Sequence, residues 1–171
     1  MKDVIQYYAR CNKAINEQMC EIIDKNITNP MDSALEGYFF KTLGQLLEHV
    51  YIADMNWMKS FLAIDDYGLN IERDIGTVPG FDERLFGDFM EYRAARGRLD
   101  ALIIDYSNKL KAEDFAKILS RVTRKGDKME KLNWKSMIHF FNHQTHHRGQ
   151  ISGFLDMMKI ENNYSNMISL D

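Results

Sequence analysis

His139-Phe140-Phe141-Asn142-His143-Gln144-Thr145-His146-His147-Arg148-Gly149-Gln150 holds four of the five histidines of the chain; the fifth is His49. The run carries no proline, and its apolar residues recur at helical spacing. On a wheel of about 100° per residue, with His139 at the origin, His143 falls near 40°, His147 near 80° and His146 near −20°. Phe140, Ile151, Phe154, Leu155 and Met158 centre near about 100° on the same wheel. His147 therefore points into the apolar arc and His143 sits at its edge, with His139 and His146 on the flank. Side chains at i and i+4 lie one above the other on one helix face. Two imidazoles so placed can share one ion, and H-x-x-x-H on a helix is a zinc-type spacing.

A second apolar helix supplies the third imidazole. Phe39, Leu43, Leu46, Val50, Trp57 and Phe61 centre at about 90–100° from His49. His49 thus lies at the edge of a buried arc, beside Thr42 and Ala53, where it can face the interior and complete a three-nitrogen site. Histidines at this spacing also occur as hydrogen-bonded core or surface residues, so the pattern alone leaves both readings open. His139 is the residue that enters the site if the register shifts, and His146 points outward. No carboxylate occupies the inward arc of residues 139–158. That argues against a di-iron carboxylate site, which is built from Glu-x-x-His pairs.

Working outward, periodicity and breakers predict four long helices at 3–25, 33–64, 82–111 and 133–160. The only prolines, Pro30 and Pro79, fall in connections. Ser33-Ala34-Leu35-Glu36 reads as a capping box opening the second helix, and Asp82 as a cap for the third. Segment 113–131 reads as a short helix and then a hairpin-like turn around Arg121-Val122-Thr123 and Gly126. The connections at 65–81 and 112–132 are too long for simple bundle turns, so the topology need not be up-down-up-down. The fold class is all-α: a four-helix bundle with long connections, formed by residues 1–171 as a single domain.

The composition agrees. A chain of 171 residues, 45% hydrophobic and 27% charged, can bury one sizeable core. A net charge of −3 disfavours broad electrostatic binding to nucleic acid. The basic run Arg121–Lys131 is interrupted by Asp127 and Glu130 and reads as a solvated connection, with a phosphate-binding surface as the lesser alternative. No apolar signal-peptide core follows Met1, and no stretch approaches the roughly 20 apolar residues of a membrane span. Cys11 and Cys20, at i and i+9 of one helix, lie too far apart to bond and read as buried packing residues. The cytoplasm is the expected compartment.

The run Phe141-Asn142-His143-Gln144-Thr145-His146-His147-Arg148-Gly149-Gln150 resembles the signature of the DinB (damage-inducible) family, within the DinB/YfiT-like metalloenzyme superfamily. Leu46-Leu47-Glu48-His49-Val50, with Asp54 and Trp57 following, resembles the family's second helix. Asn12-Lys13-Ala14-Ile15-Asn16 is similar, more loosely, to its first, with Cys11 where an aromatic residue is usual. The resemblance implies a four-helix bundle holding a divalent metal ion, zinc or nickel, on His49, His143 and His147. It also implies homodimers. The family name records induction by DNA damage, which is no evidence of DNA binding. Superfamily members include S-transferases and isomerases that use low-molecular-weight thiols.

Three neutral imidazoles leave an open coordination position, as catalytic zinc sites do and closed structural sites do not. Such a position can lower the pKa of a bound water, which suits a hydrolase. It can equally deprotonate a coordinated thiol, which suits a thiol S-transferase acting on a small electrophile. A non-catalytic metal-binding stress protein is the alternative, and a helical interaction module the third reading. Glu48 points away from His49 on the wheel. Asp54, Tyr51 and Asn56 are candidates for outer-shell or substrate contacts, and Gln150 for a hydrogen bond to a ligating imidazole. Arg148 points away from the core, suited to a structural or interface role, and Gly149 allows close helix approach. Trp57, Tyr51 and the eleven methionines read as core.

Overall fold

The computed structural model describes residues 1–80, 84–122, 126–164 and 166–170. Among these, four long helices carry most of the chain: α1 (Lys2–Asn26), α2 (Leu43–Leu62), α4 (Phe89–Lys109) and α5 (Asn133–Met157), with a single short turn of helix, α3 (Ile71–Asp74), between α2 and α4. Strands β1 (Ile118–Val122) and β2 (Lys128–Leu132) pair antiparallel, Ile118 opposite Leu132 and Val122 opposite Lys128, so the turn expected around Arg121 and Gly126 is a true hairpin. No helix among the described residues is long and apolar enough to cross a membrane.

Helix α1 follows its pattern closely. Ile5, Ala9, Asn12, Ile15, Asn16, Met19 and Ile23 form one buried stripe, which gives the helix a face to bury. Cys11 and Cys20 are buried free thiols, as expected.

Helices α2 and α4 begin later than their periodicity suggests. Ser33 and Glu36 form no capping box. Ser33 instead donates to the Asn29 carbonyl at 2.9 Å, and Gly37 adopts φ +80°, which breaks the helical path. Residues 33–43 double back, with Leu43 N–H on Ser33 O at 2.8 Å and Leu35 N–H on Lys41 O at 2.9 Å. The cap of α2 is Thr42, whose hydroxyl accepts from Gln45 N–H at 3.2 Å. Here Gly44 is needed for space: a Cβ would lie 2.3 Å from the Met31 carbonyl oxygen. Helix α4 is capped by Asp88, which accepts from Glu91 N–H at 2.9 Å, while Glu91 accepts from Gly87 N–H at 2.8 Å. Asp82, the expected cap, lies outside the described residues. The preceding segment is tied down by Glu48, whose carboxylate accepts from Leu85 and Phe86 N–H at 2.9 and 3.1 Å.

Contacts between side chains fix the helix directions. Lys2 and Gln6 reach Asn108 and Arg93 reaches Glu21 and Asp24, so α1 and α4 are antiparallel. His49 meets His143 and His147 while Trp57 meets His139, so α2 and α5 are antiparallel as well. Asp54 with Arg96 and Phe61 with Tyr106 make α2 and α4 parallel. Tyr8 with Phe141 and Asn16 with Arg148 make α1 and α5 parallel. Of the long helices that follow one another in the chain only α2 and α4 are parallel, and that pair requires a long connection, which accounts for the segment after α2.

At the centre lies a polar network, with Asp54, Arg96 and Asp100 all at most 2% exposed. Arg96 donates to Asp54 at 2.6 Å and to Asp100 at 2.9 Å. Asn12 and Asn16 donate to Asp100, each at 3.1 Å. Arg148 closes the ring by donating to the Asn12 and Asn16 side-chain oxygens. Arg148 thus does not point away from the core: it enters it on the α1 side. Removing one member leaves a buried charge without its counterpart. Asp100→Ala should cost about 3–5 kcal/mol in chemical denaturation, whereas Arg93→Ala, which breaks only surface pairs, should cost at most about 1 kcal/mol.

Candidate metal centre

His49, His143 and His147 come together where α2 faces α5, and their ligand atoms lie within 4.8 Å of one another. His147 and His143, one turn apart on α5, bring their Nε2 atoms to 3.1 Å. The His49 ring centroid lies 4.8 Å from that of His147 and 5.4 Å from that of His143. Two nitrogens each about 2.1 Å from one ion, at an angle of roughly 95°, would sit at the Nε2 separation seen here. His147 is buried and the other two are half-buried, so the cluster opens to the surface on one side.

Local chemistry favours the ligating form of the two α5 rings. His147 Nδ1 lies 2.7 Å from Gln150 Oε1. The amide oxygen accepts, so the proton sits on Nδ1 and the Nε2 lone pair is free for the cluster. Burial lowers the His147 pKa, against the hydrogen bond to Gln150. Burial, with repulsion from His147 and His49 behind it, pushes His143 down to about 3. These imidazoles are therefore neutral lone-pair donors at ordinary pH. His143 Nδ1 is buried without a hydrogen-bond partner, which leaves this ring less firmly oriented than His147. Three clustered imidazoles, two of them neutral donors at coordinating separation and one with its tautomer set by an amide, could hold a metal ion.

The surroundings divide into a closed and an open side. Phe40, on the loop before α2, packs its ring 4.8 Å from His49 and 6.0 Å from His147. That aromatic cover escaped the sequence reading, because residues 33–42 were assigned to a helix. His139 stands apart from the ligand cluster, exposed, 6.3 Å from the His143 ring and 5.3 Å from Trp57. His146 is exposed, its ring 4.9 Å from His147. Glu48 serves the 85–86 backbone and leaves the histidines alone, as the wheel indicated. Asp54 is committed to Arg96, and burial pushes its carboxyl up to about 7 against the pull of that guanidinium. Tyr51 packs on Phe86 and Asn56 donates to its own helix at Ile52 O. Gly149 meets nothing within 4 Å of a built Cβ, so no helix approaches it closely; Gly153 is the tighter position, 3.2 Å from the Tyr38 hydroxyl.

The missed polar partners, Arg96 and Asp100, carried one sequence signal. Arg96 interrupts a stripe of Tyr92, Leu99 and Ile103 on α4, and a charge inside an apolar stripe needs a buried partner.

The sequence model of the DinB family matches residues 1–158. No curated protein and no solved structure matches the chain.

If the three rings bind one ion, His49→Ala, His143→Ala and His147→Ala should each abolish stoichiometric metal in elemental analysis. His139→Ala and His146→Ala should keep it. Gln150→Ala should weaken affinity by about 10–100-fold in a competition titration, since it frees the His147 tautomer.

Proposed function

The chain belongs to the DinB family, and from that premise we propose that it is a metal-dependent enzyme of the thiol S-transferase kind. In this reading a four-helix bundle carries one divalent ion, zinc or nickel, on His49, His143 and His147, and the substrate is a small electrophile. The supporting observation is the all-imidazole cluster with one side open and no carboxylate among its members. An ion held there would supply Lewis acidity and lower the pKa of a thiol or water at its open position.

The residues of the chain favour a thiol over water. Among the described residues, no carboxylate stands beside the cluster: Glu48 and Asp54 are both engaged elsewhere. A hydrolase would need water, of pKa near 15.7, to be brought to neutrality and its proton moved. A thiol starts near 8.5 and ionises without a dedicated base. Gln150 holds the His147 tautomer and Phe40 excludes solvent from the covered side. The incoming sulfur then uses the open side, forms the bond to the electrophilic carbon, and the leaving group departs with the broken bond's electron pair. The lack of an acid–base residue beside the cluster among the described residues equally favours the alternative, a non-catalytic metal-binding stress protein, and turnover separates the two.

The test is a two-stage assay. Purified chain should take up about one zinc or nickel ion and gain in melting temperature by mass action. Loaded protein should then accelerate loss of cellular thiols in the presence of a chromogenic aryl halide, and His147→Ala should not. Metal content far below one per chain with no thermal shift overturns the metal centre. Stoichiometric metal without acceleration with any thiol assigns the chain to the non-catalytic alternative.

A further inference from the structure

The seam between α2 and α5 continues past the histidines, with Ala53 and Trp57 buried in its floor. His49, Ala53 and Trp57 follow one another at i, i+4 and i+8 on α2, and His147, His143 and His139 do so on α5. The helices are antiparallel, so His139 stands opposite Trp57. Arg121, from β1, lies with its guanidinium carbon 4.1 Å from the centre of the Trp57 ring.

The position of Arg121 is unusual. Leu119 and Arg121 share one face of β1, and Leu119 is fully buried. Strand alternation therefore calls for an apolar residue at 121, and an arginine occupies it. Its strand partner, Met129, is apolar as well. Among the described residues Arg121 has no ion pair and no side-chain hydrogen bond, whereas Arg73, Arg84, Arg93 and Arg96 each pair with a carboxylate. Burial alone draws its pKa down, with no opposing acid. A half-buried cation without a counter-charge is costly unless something else meets it. A guanidinium stacked on an aromatic face keeps donors at its rim, suited to a carboxylate.

We propose that Arg121, stacked on Trp57 and flanked by His139, is the anchor for a carboxylate on the substrate whose reacting end sits at the histidine cluster. The proposal rests on the metal-dependent reading above and adds to it the charge and length of the substrate. His49 and Trp57 are eight residues apart, about 12 Å along α2 at 1.5 Å per residue. The ligand is thus an extended acid of roughly tripeptide length, its anionic end at the hairpin.

Two arms test this separately from the metal. In metal-free protein, acetate should shift the Trp57 indole N–H resonance, assigned with Trp134→Phe, while acetamide at equal ionic strength should not. Arg121→Gln should abolish the acetate response, and Arg121→Lys, which keeps the charge, should retain part of it with an unchanged melting temperature. In zinc-loaded protein, N-acetyl-Cys-Gly-Gly should bind about tenfold more tightly than its C-terminal amide, a preference lost in Arg121→Gln. His139→Ala should keep the metal and reduce that preference. No response to acetate, or a response unchanged in Arg121→Gln, overturns the anchor. Equal binding of acid and amide overturns it too, while leaving the metal centre standing. Failure of both thiols to bind counts against the thiol reading, and the acetate response alone then decides on Arg121.

Discussion

The ring of Asp54, Arg96, Asp100, Asn12, Asn16 and Arg148 takes a member from every long helix. Two carboxylates face two guanidiniums, so the buried charge balances. Such a ring adds little stability over a well-packed apolar core, but its geometry is demanding. Each hydrogen bond fixes the rotation of a helix about its own axis. A turn of α5 by one residue would bring His147 to the place of Arg148 and leave the Asn12 and Asn16 amide oxygens without their donor.

That constraint positions the histidines. Arg148 directly follows His147, and on a helix consecutive side chains diverge by about 100°. With Arg148 committed to α1, His147 is directed toward α2. Asp54 follows His49 by five residues, at about 140° on the wheel. With Asp54 committed to Arg96, His49 is turned toward the outward seam. The buried polar ring and the half-open imidazole cluster are therefore opposite faces of one rotational setting. Gln150 completes it from the same helix by fixing the tautomer of His147.

Much of this was legible in the sequence where a single helix decides. The three histidines fell on inward arcs of α2 and α5 because periodicity is a local property, and the structure brings those three together while leaving His139 and His146 outside. Gln150 was found for the same reason. Arg148 was misplaced because a wheel drawn from one helix equates the core with apolar residues. The buried Asn12 and Asn16 of α1 create a polar interior that the α5 wheel cannot contain. The starts of α2 and α4 were missed because tertiary contacts set them. Gly37 at positive φ, with backbone bonds from Ser33 to Leu43, unwinds the first. Glu48, reaching across from α2, takes the backbone N–H groups just ahead of the second. Arg121 gave no local sign, since its place on the inner face of a strand depends on the register of a hairpin.

The parallel pairing of α1 with α5 has a consequence for how the chain reaches this state. Arg148 and Asn12 are separated by 136 positions, so the ring closes only when the last long helix has been made. Until then α1 carries two asparagines in its apolar stripe with only part of their hydrogen bonding, beside Asp100 short of one cation. Among the four long helices, α1 is thus the one that must wait longest for its partner. High sequence separation of this kind slows folding relative to bundles with local neighbours, and it exposes an incomplete polar interior during synthesis. The same feature ties the imidazole cluster to a helix that contributes no ligand to it: the setting of α5 that presents His143 and His147 is the one in which Arg148 has met α1.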